Sequence, residues 1–175
     1  MMPNLQLNWV KEGTGLEKDF RSMVVGWQTV VDTLNATVLR FNSKYFEKAD
    51  DPHHPMKLIA VKAVVVASLR EIKLMLEKWQ NRLHQRSALS QGTKDLKKSL
   101  NPILLKIDGL KEVRNLAFHF GDPLQDPDEL LGLYENIDEY KIDELNTMLR
   151  ALVDLGFQMR QDALEAEERL RVSNP

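Results

Sequence analysis

The 175-residue chain contains no cysteine, which excludes a disulfide framework and any zinc site built on thiolates. Long apolar runs are also missing. No stretch approaches the eighteen or so apolar residues that a membrane-crossing helix needs, so no membrane partner is expected. Glycine-rich phosphate loops, nucleophile elbows and strand-like alternation are absent as well, which leaves kinase, serine-hydrolase and redox chemistry without a sequence basis. None of the histidines, His53, His54, His84 and His119, follows a glutamate by three positions. The carboxylate-bridged metal centre of helical bundles is therefore not encoded. The opening Met1-Met2-Pro3-Asn4-Leu5-Gln6 has neither a basic leader nor an apolar signal core, so a cytoplasmic location is the expectation.

What is present is ordinary for a globular chain: 43% hydrophobic and 29% charged residues, enough for one domain with a sizeable core. The net charge of −2 conceals a segregation. From Arg70 to Arg114 eleven Lys/Arg face five Asp/Glu, a local +6, whereas residues 115–175 carry five against fourteen, a local −9. Such asymmetry can mark a side that faces nucleic acid, although each cluster is also compatible with a solvated helix face.

The periodicity is helical throughout. From Leu16 the positions Phe20, Met23, Val24, Trp27, Val30, Val31, Leu34, Val38, Phe41 and Tyr45 advance by threes and fours, predicting a long helix that ends near Lys48. Gly26 inside it marks a close helix crossing rather than a break. Asp50-Asp51-Pro52-His53-His54-Pro55 holds metal-ligand types, but adjacent side chains between two prolines converge poorly on one ion, and the segment reads as a turn. A second helix spans about Pro55–Arg86. Its first half is apolar on nearly every side, as for a helix covered by several neighbours; its second half is basic, with His84 on the surface. Gly92 breaks the chain, Thr93 is the candidate N-cap of the next segment, and Pro102 is expected to kink or restart the helix. An element over about Asn101–His119 follows, with Ile103, Leu104, Ile107, Leu110, Val113, Leu116 and Ala117 facing inwards. After a turn-rich loop, a short helix covers Glu129–Asn136 and a last long one about Asp138–Val172, whose apolar residues thin beyond Met159, as in a protruding or fraying end. The whole reads as an all-α, single-domain bundle of four to five long antiparallel helices over residues 16–172, with an irregular arm over 1–15.

Within this pattern one stretch carries chemistry: Lys111-Glu112-Val113-Arg114-Asn115-Leu116-Ala117-Phe118-His119-Phe120-Gly121-Asp122-Pro123. Asn115 and His119 are four apart and share a helix face, so Asn115 can orient the imidazole. Arg114 and His119 are five apart, about 140° around an ideal helix, so they converge only if the arginine curls or a partner chain supplies one of them. The spacing Arg-Asn-x-x-x-His, here Arg114-Asn115-Leu116-Ala117-Phe118-His119, resembles the signature of the HEPN superfamily of helical nucleotide-binding domains, many of them metal-independent endoribonucleases. The resemblance covers at best residues 55–170, and only these six residues are specific. It implies a HEPN-like fold, a homodimer whose interface holds Arg114 and His119 of both chains, RNA as substrate, no cofactor or metal, and a toxin or phage-defence role beside an antitoxin or other partner protein.

The residue types suit that chemistry. Metal-free RNA cleavage needs a base for the 2′-OH proton, an acid for the leaving 5′-oxygen and a cation for the phosphorane charge. Histidine serves the first two roles near neutral pH and arginine the third. Asn115 would orient His119 or bond to phosphate. Phe118 and Phe120 read as packing residues. Two readings compete with catalysis: His119 complementing the C-terminal dipole of its helix while Arg114 pairs with a neighbouring carboxylate, and a non-catalytic HEPN-like module that binds a partner protein or nucleic acid.

Overall fold

In the computed structural model the described residues are 10, 15–41, 54–110, 132, 135–137 and 139–173, with 33–41, 54–61 and 142 described by backbone alone. The helical periodicity is realised as α1 (Gly15–Phe41), α2 (His54–Gln85), α3 (Gln91–Asp108) and α4 (Ile142–Ser173). The fold is an all-α helical bundle, and no strand occurs among the described residues. The expected end of the first helix near Lys48, the Asp50–His53 part of the metal-like turn and the arm before Gly15, apart from Val10, lie outside the described residues.

Contacts divide the chain into two compact units, one from Met1–Leu34, Met75–Ser99 and Val153–Pro175, the other from Asn35–Leu74 and Leu100–Leu152. In the first unit Trp27 of α1 is completely buried. Its ring meets Trp79 of α2 edge-on at 6.3 Å and 74°, and Phe157 of α4 at 5.9 Å and 79°, the tilted arrangements that aromatic quadrupoles favour. Two glycines make room. A Cβ on Gly26 would lie 3.1 Å from Trp79 Cζ2, so this residue does mark a close crossing, and α1 runs through it unbroken. A Cβ on Gly156 would lie 2.2 Å from Trp27 Cη2, well inside contact distance. Since Arg21 meets Glu167 while Trp27 meets Phe157, α1 and α4 run antiparallel.

The far end of α4 corrects the expectation of a fraying terminus. Ala163 and Ala166 are buried among larger neighbours, and so are two carboxylates, Asp162 and Glu167. Acidic residues that read as solvated instead point inwards and are matched there. Glu167 Oε1 accepts from Arg21 Nη2 at 2.7 Å and from Nε at 3.0 Å. Asp162 Oδ2 accepts from the Ser90 amide at 3.0 Å and from the Thr93 hydroxyl at 2.7 Å. Thr93 is thus not the cap of α3. Ser90 is, because its Oγ accepts from the Thr93 amide at 3.1 Å, satisfying an orphan donor of the first turn. Thr93 gives its one hydroxyl proton to Asp162, so the 3.1 Å contact between the two hydroxyls has Ser90 as donor. Asp162 takes the part that a glutamate in the first turn plays in a capping box, but from another helix.

The second unit is built on Ala63, Val66, Ala67, Leu69 and Ile72 of α2, Leu104 and Ile107 of α3, and Leu145, Met148 and Leu152 of α4. The all-round burial expected of early α2 is not met: Val64 is 53% exposed, so one valine of the β-branched run faces solvent. Pro102 does not restart an element; it lies inside α3 on the exposed side. There the carbonyl four residues earlier, which loses its donor, is open to water. The last helix starts at Ile142, four residues later than expected, after a bend at Tyr140. Lys141 O accepts from the Glu144 and Leu145 amides to open it, and Asp143 and Glu144 in its first turn complement the helix dipole.

Gly156→Ala is expected to lower stability by about 2–3 kcal/mol through overpacking against Trp27. Gly26→Ala should stay within about 1 kcal/mol of wild type, since the gain in helix propensity offsets the tight contact. Urea melts followed by tryptophan fluorescence rank the two. In the same assay Asp162→Ala, which leaves two donors without an acceptor, should cost about 2–4 kcal/mol, and Asp162→Asn, which keeps one carbonyl acceptor, clearly less.

Candidate functional site

The residues singled out by sequence, Arg114, Asn115 and His119, lie outside the described residues, as do Phe118 and Phe120. What the structure defines is the frame on either side of them, all of it in the second unit. Helix α3 does not run on through the motif as expected. It ends at Asp108, and Gly109 and Leu110 form a turn. The Gly109 amide is shared between Leu105 O at 3.3 Å and Lys106 O at 3.1 Å, and the Leu110 amide bonds Ile107 O at 3.1 Å, a last turn that tightens as helix ends commonly do. The sequence hid this stop because Ile107, Leu110 and Val113 keep helical spacing across the glycine.

The turn is fixed from both sides. Asp108 Oδ1 accepts from Arg70 Nη1 at 2.6 Å and from Lys73 Nζ at 2.7 Å. Ile107 and Leu110 are fully buried beside it. Three residues separate the anchored Leu110 from Arg114. On the far side of the motif Ile137 is fully buried, and α4 begins a few residues later. Lys106 Nζ meets Glu144 Oε1 at 3.0 Å, joining the end of α3 to the start of α4. On either side of the motif the chain is thus held by a buried apolar residue of the same unit, Leu110 before it and Ile137 after it.

The frame also revises the charge reading. Arg70 and Lys73, counted in the basic stretch, converge on one carboxylate, and Lys73 is buried. Tyr140, at the entrance to α4, has its phenol pKa raised above 10.0 by burial first and then by the carboxylates of Glu144 and Glu139. It stays a hydrogen-bond donor at any physiological pH. His84 is exposed, as expected. Among the described residues no three His, Asp or Glu side chains are grouped as metal ligands, and no helix is long and apolar enough to cross a membrane.

A raised phenol pKa means that the folded chain holds this proton after the unfolded chain has released it. Stability is therefore unaffected by Tyr140 below about pH 10 and falls as pH rises through its folded pKa. Stability measured against pH should fall less steeply above about pH 10 in Tyr140→Phe than in wild type, and an equal slope in both would remove the effect.

No family model matches this sequence, and neither a curated protein nor a solved structure is similar to it.

Proposed function

We propose that this chain is a HEPN-like, metal-independent endoribonuclease that works as a cytoplasmic homodimer, in a toxin or phage-defence role and with an antitoxin or other partner protein. The observation that carries the reading is the spacing Arg114-Asn115-x-x-x-His119 followed by Gly121 and Pro123. The all-α bundle fits it. So does the anchoring of the chain at Leu110 and Ile137, which gives the intervening segment a fixed place of departure and return. A site that positions its groups on a rigid frame lowers the barrier by removing orientational freedom.

In the proposed reaction neutral His119 of one protomer removes the 2′-OH proton. The 2′-oxygen attacks the adjacent phosphorus, and the bond from phosphorus to the 5′-oxygen breaks. Protonated His119 of the partner protomer gives its proton to that leaving oxygen, so the products are a 2′,3′-cyclic phosphate and a free 5′-hydroxyl. Arg114 binds the non-bridging oxygens, whose charge grows in the transition state. Asn115 fixes the imidazole or bonds phosphate. One Arg and one His per chain suffice because the two-fold dimer doubles both.

The test is cleavage of labelled single-stranded and structured RNAs with chelator present, using wild type, Arg114→Ala and His119→Ala with helicity checked by circular dichroism. Wild type should yield cyclic-phosphate ends, and each substitution should reduce the rate by about 10²–10⁴-fold. Equal activity in all three, or none in any, would instead favour the non-catalytic interaction module.

A further inference from the structure

The basic stretch is not used evenly. Between residues 78 and 98, all within the first unit, six cations stand against a single carboxylate, Asp95. Asp95 is itself bonded by Gln91 Nε2 at 2.9 Å. The contacts sort these cations into two rows. Lys78 and Arg82 on α2 and Arg86 in the turn just after it follow one another at four-residue intervals and are all exposed. This row lies on the side of α2 towards α1, because Arg82 and Arg86 approach Asp19 of α1 at 3.7 and 3.9 Å. Two guanidinium groups share that one carboxylate at long range, so the row stays positive. Lys94, Lys97 and Lys98 form the second row on α3, and Lys97 Nζ bonds Gln80 Oε1, which places this row against the other flank of α2. Between them runs an exposed crest of uncharged residues, Asn81 and Gln85.

Two carboxylates of the same unit are withdrawn from solvent, while Asp32, Asp154, Glu165 and Glu168 stay exposed on α1 and α4, outside the 78–98 stretch. Asp162 and Glu167, which make the C-terminal third look repulsive towards a polyanion, are buried and bonded to Ser90, Thr93 and Arg21. Lys78, Lys94 and Lys98 are exposed and have no partner among the described residues. With Arg21 buried as well, the withdrawal of the two carboxylates shifts the solvent-facing charge of the unit by one towards positive, and the 78–98 stretch itself carries six cations against Asp95. The exposed large apolar residues among those described, Val64, Leu105, Phe157 and Val172, all fall outside the 78–98 stretch. A membrane-surface helix needs an apolar face beside its cations, so this surface suits a phosphate backbone in water rather than a bilayer.

We propose that the outer face of the α2–α3 hairpin, with Lys78, Arg82 and Arg86 on one flank and Lys94, Lys97 and Lys98 on the other, binds the backbone of single-stranded RNA without reading its sequence. The choice of RNA over other polyanions rests on the nuclease reading of the Arg114–His119 motif; the charged surface does not. Cations opposite phosphates release condensed counterions, so binding here is strongly salt-dependent.

Binding is measured with a short labelled 2′-O-methyl oligoribonucleotide, which lacks the attacking hydroxyl and stays intact. The full chain is compared with Lys78→Gln/Lys94→Gln/Lys98→Gln and with Lys141→Gln/Arg150→Gln/Arg171→Gln, which removes the same charge from exposed positions elsewhere. The first variant should bind at least about tenfold more weakly at about 50 mM salt, with a log–log salt slope lower by about 2, since each phosphate left without its cation lowers it by about 0.7. The second should remain within about twofold of wild type. Equal weakening in both variants, no weakening in the first, no binding by wild type, or binding to anionic phosphatidylserine vesicles in place of the oligonucleotide would overturn the proposal. Cleavage of unmodified RNA by Arg114→Ala and His119→Ala is read in parallel. If both cut like wild type while the lysine variant loses binding, the site reading fails and the binding surface stands.

Discussion

Trp27 can occupy the centre of the first unit only because residue 156 has no side chain. Its indole lies where a Cβ on α4 would be, so the backbone of α4 itself forms one wall of the tryptophan's pocket. That approach sets how near α1 and α4 come, and it is reinforced one turn and more away by Arg21 and Glu167, which are buried with it. Trp27 Nε1 is buried without a hydrogen-bond partner among the described residues, a penalty of about 1–3 kcal/mol. Burial of the large ring and its two edge-on contacts, each worth about 0.5–1.5 kcal/mol beyond area, offsets it. Only a glycine at 156 and rings at 79 and 157 permit this arrangement together.

The polar contacts then make the packing specific. A buried ion pair adds little net stability compared with well-packed apolar residues, but removing one partner is costly. Arg21–Glu167 thus acts less as an adhesive than as a penalty on any register of α4 that would leave a charge buried alone. The Ser90–Thr93–Asp162 cluster does the same for α3. It caps a helix with a carboxylate from elsewhere in the chain, so the start of α3 and the position of α4 are set by the same hydrogen bonds. In the second unit Asp108 plays the corresponding part for the end of α3, held by Arg70 and Lys73.

Helix content was legible in the sequence because apolar spacing depends on burial, which one strip of each helix must satisfy. The close crossing at Gly26 and the exposed His84 were legible for similarly local reasons. The misreadings have one cause: residues judged by type alone. Asp162 and Glu167 read as solvated because carboxylates are rarely buried without partners, and the partners, Thr93 and Arg21, are 69 and 146 residues away. Thr93 read as the cap, but Ser90 accepts from the Thr93 amide, and Asp162 holds Ser90 and Thr93 in that arrangement. Pro102, on a solvated face, is tolerated inside α3, which ends instead at Asp108, where Gly109 follows two positions beyond the buried Ile107. The candidate site was legible only as a six-residue spacing, because the geometry that would bring Arg114 and His119 together depends on chain partners that spacing does not contain.

Charge is where the two levels of description differ most. Counted along the sequence, the chain has a basic middle and a more strongly acidic end, which would repel a polyanion wherever the two met. Counted by what reaches solvent in the first unit, the balance moves the other way by one charge, because Asp162 and Glu167 are buried with Arg21, while Lys78, Lys94 and Lys98 have no such partners among the described residues. In the second unit the shift has the opposite sign, as Arg70 and Lys73 turn to Asp108. The +6 of the basic stretch is therefore not one patch. Among the described residues its solvent-facing part lies mainly on the α2–α3 hairpin, with Lys106 beyond it, while Arg70 and Lys73 hold Asp108 at the end of α3, just before the Arg114–His119 motif.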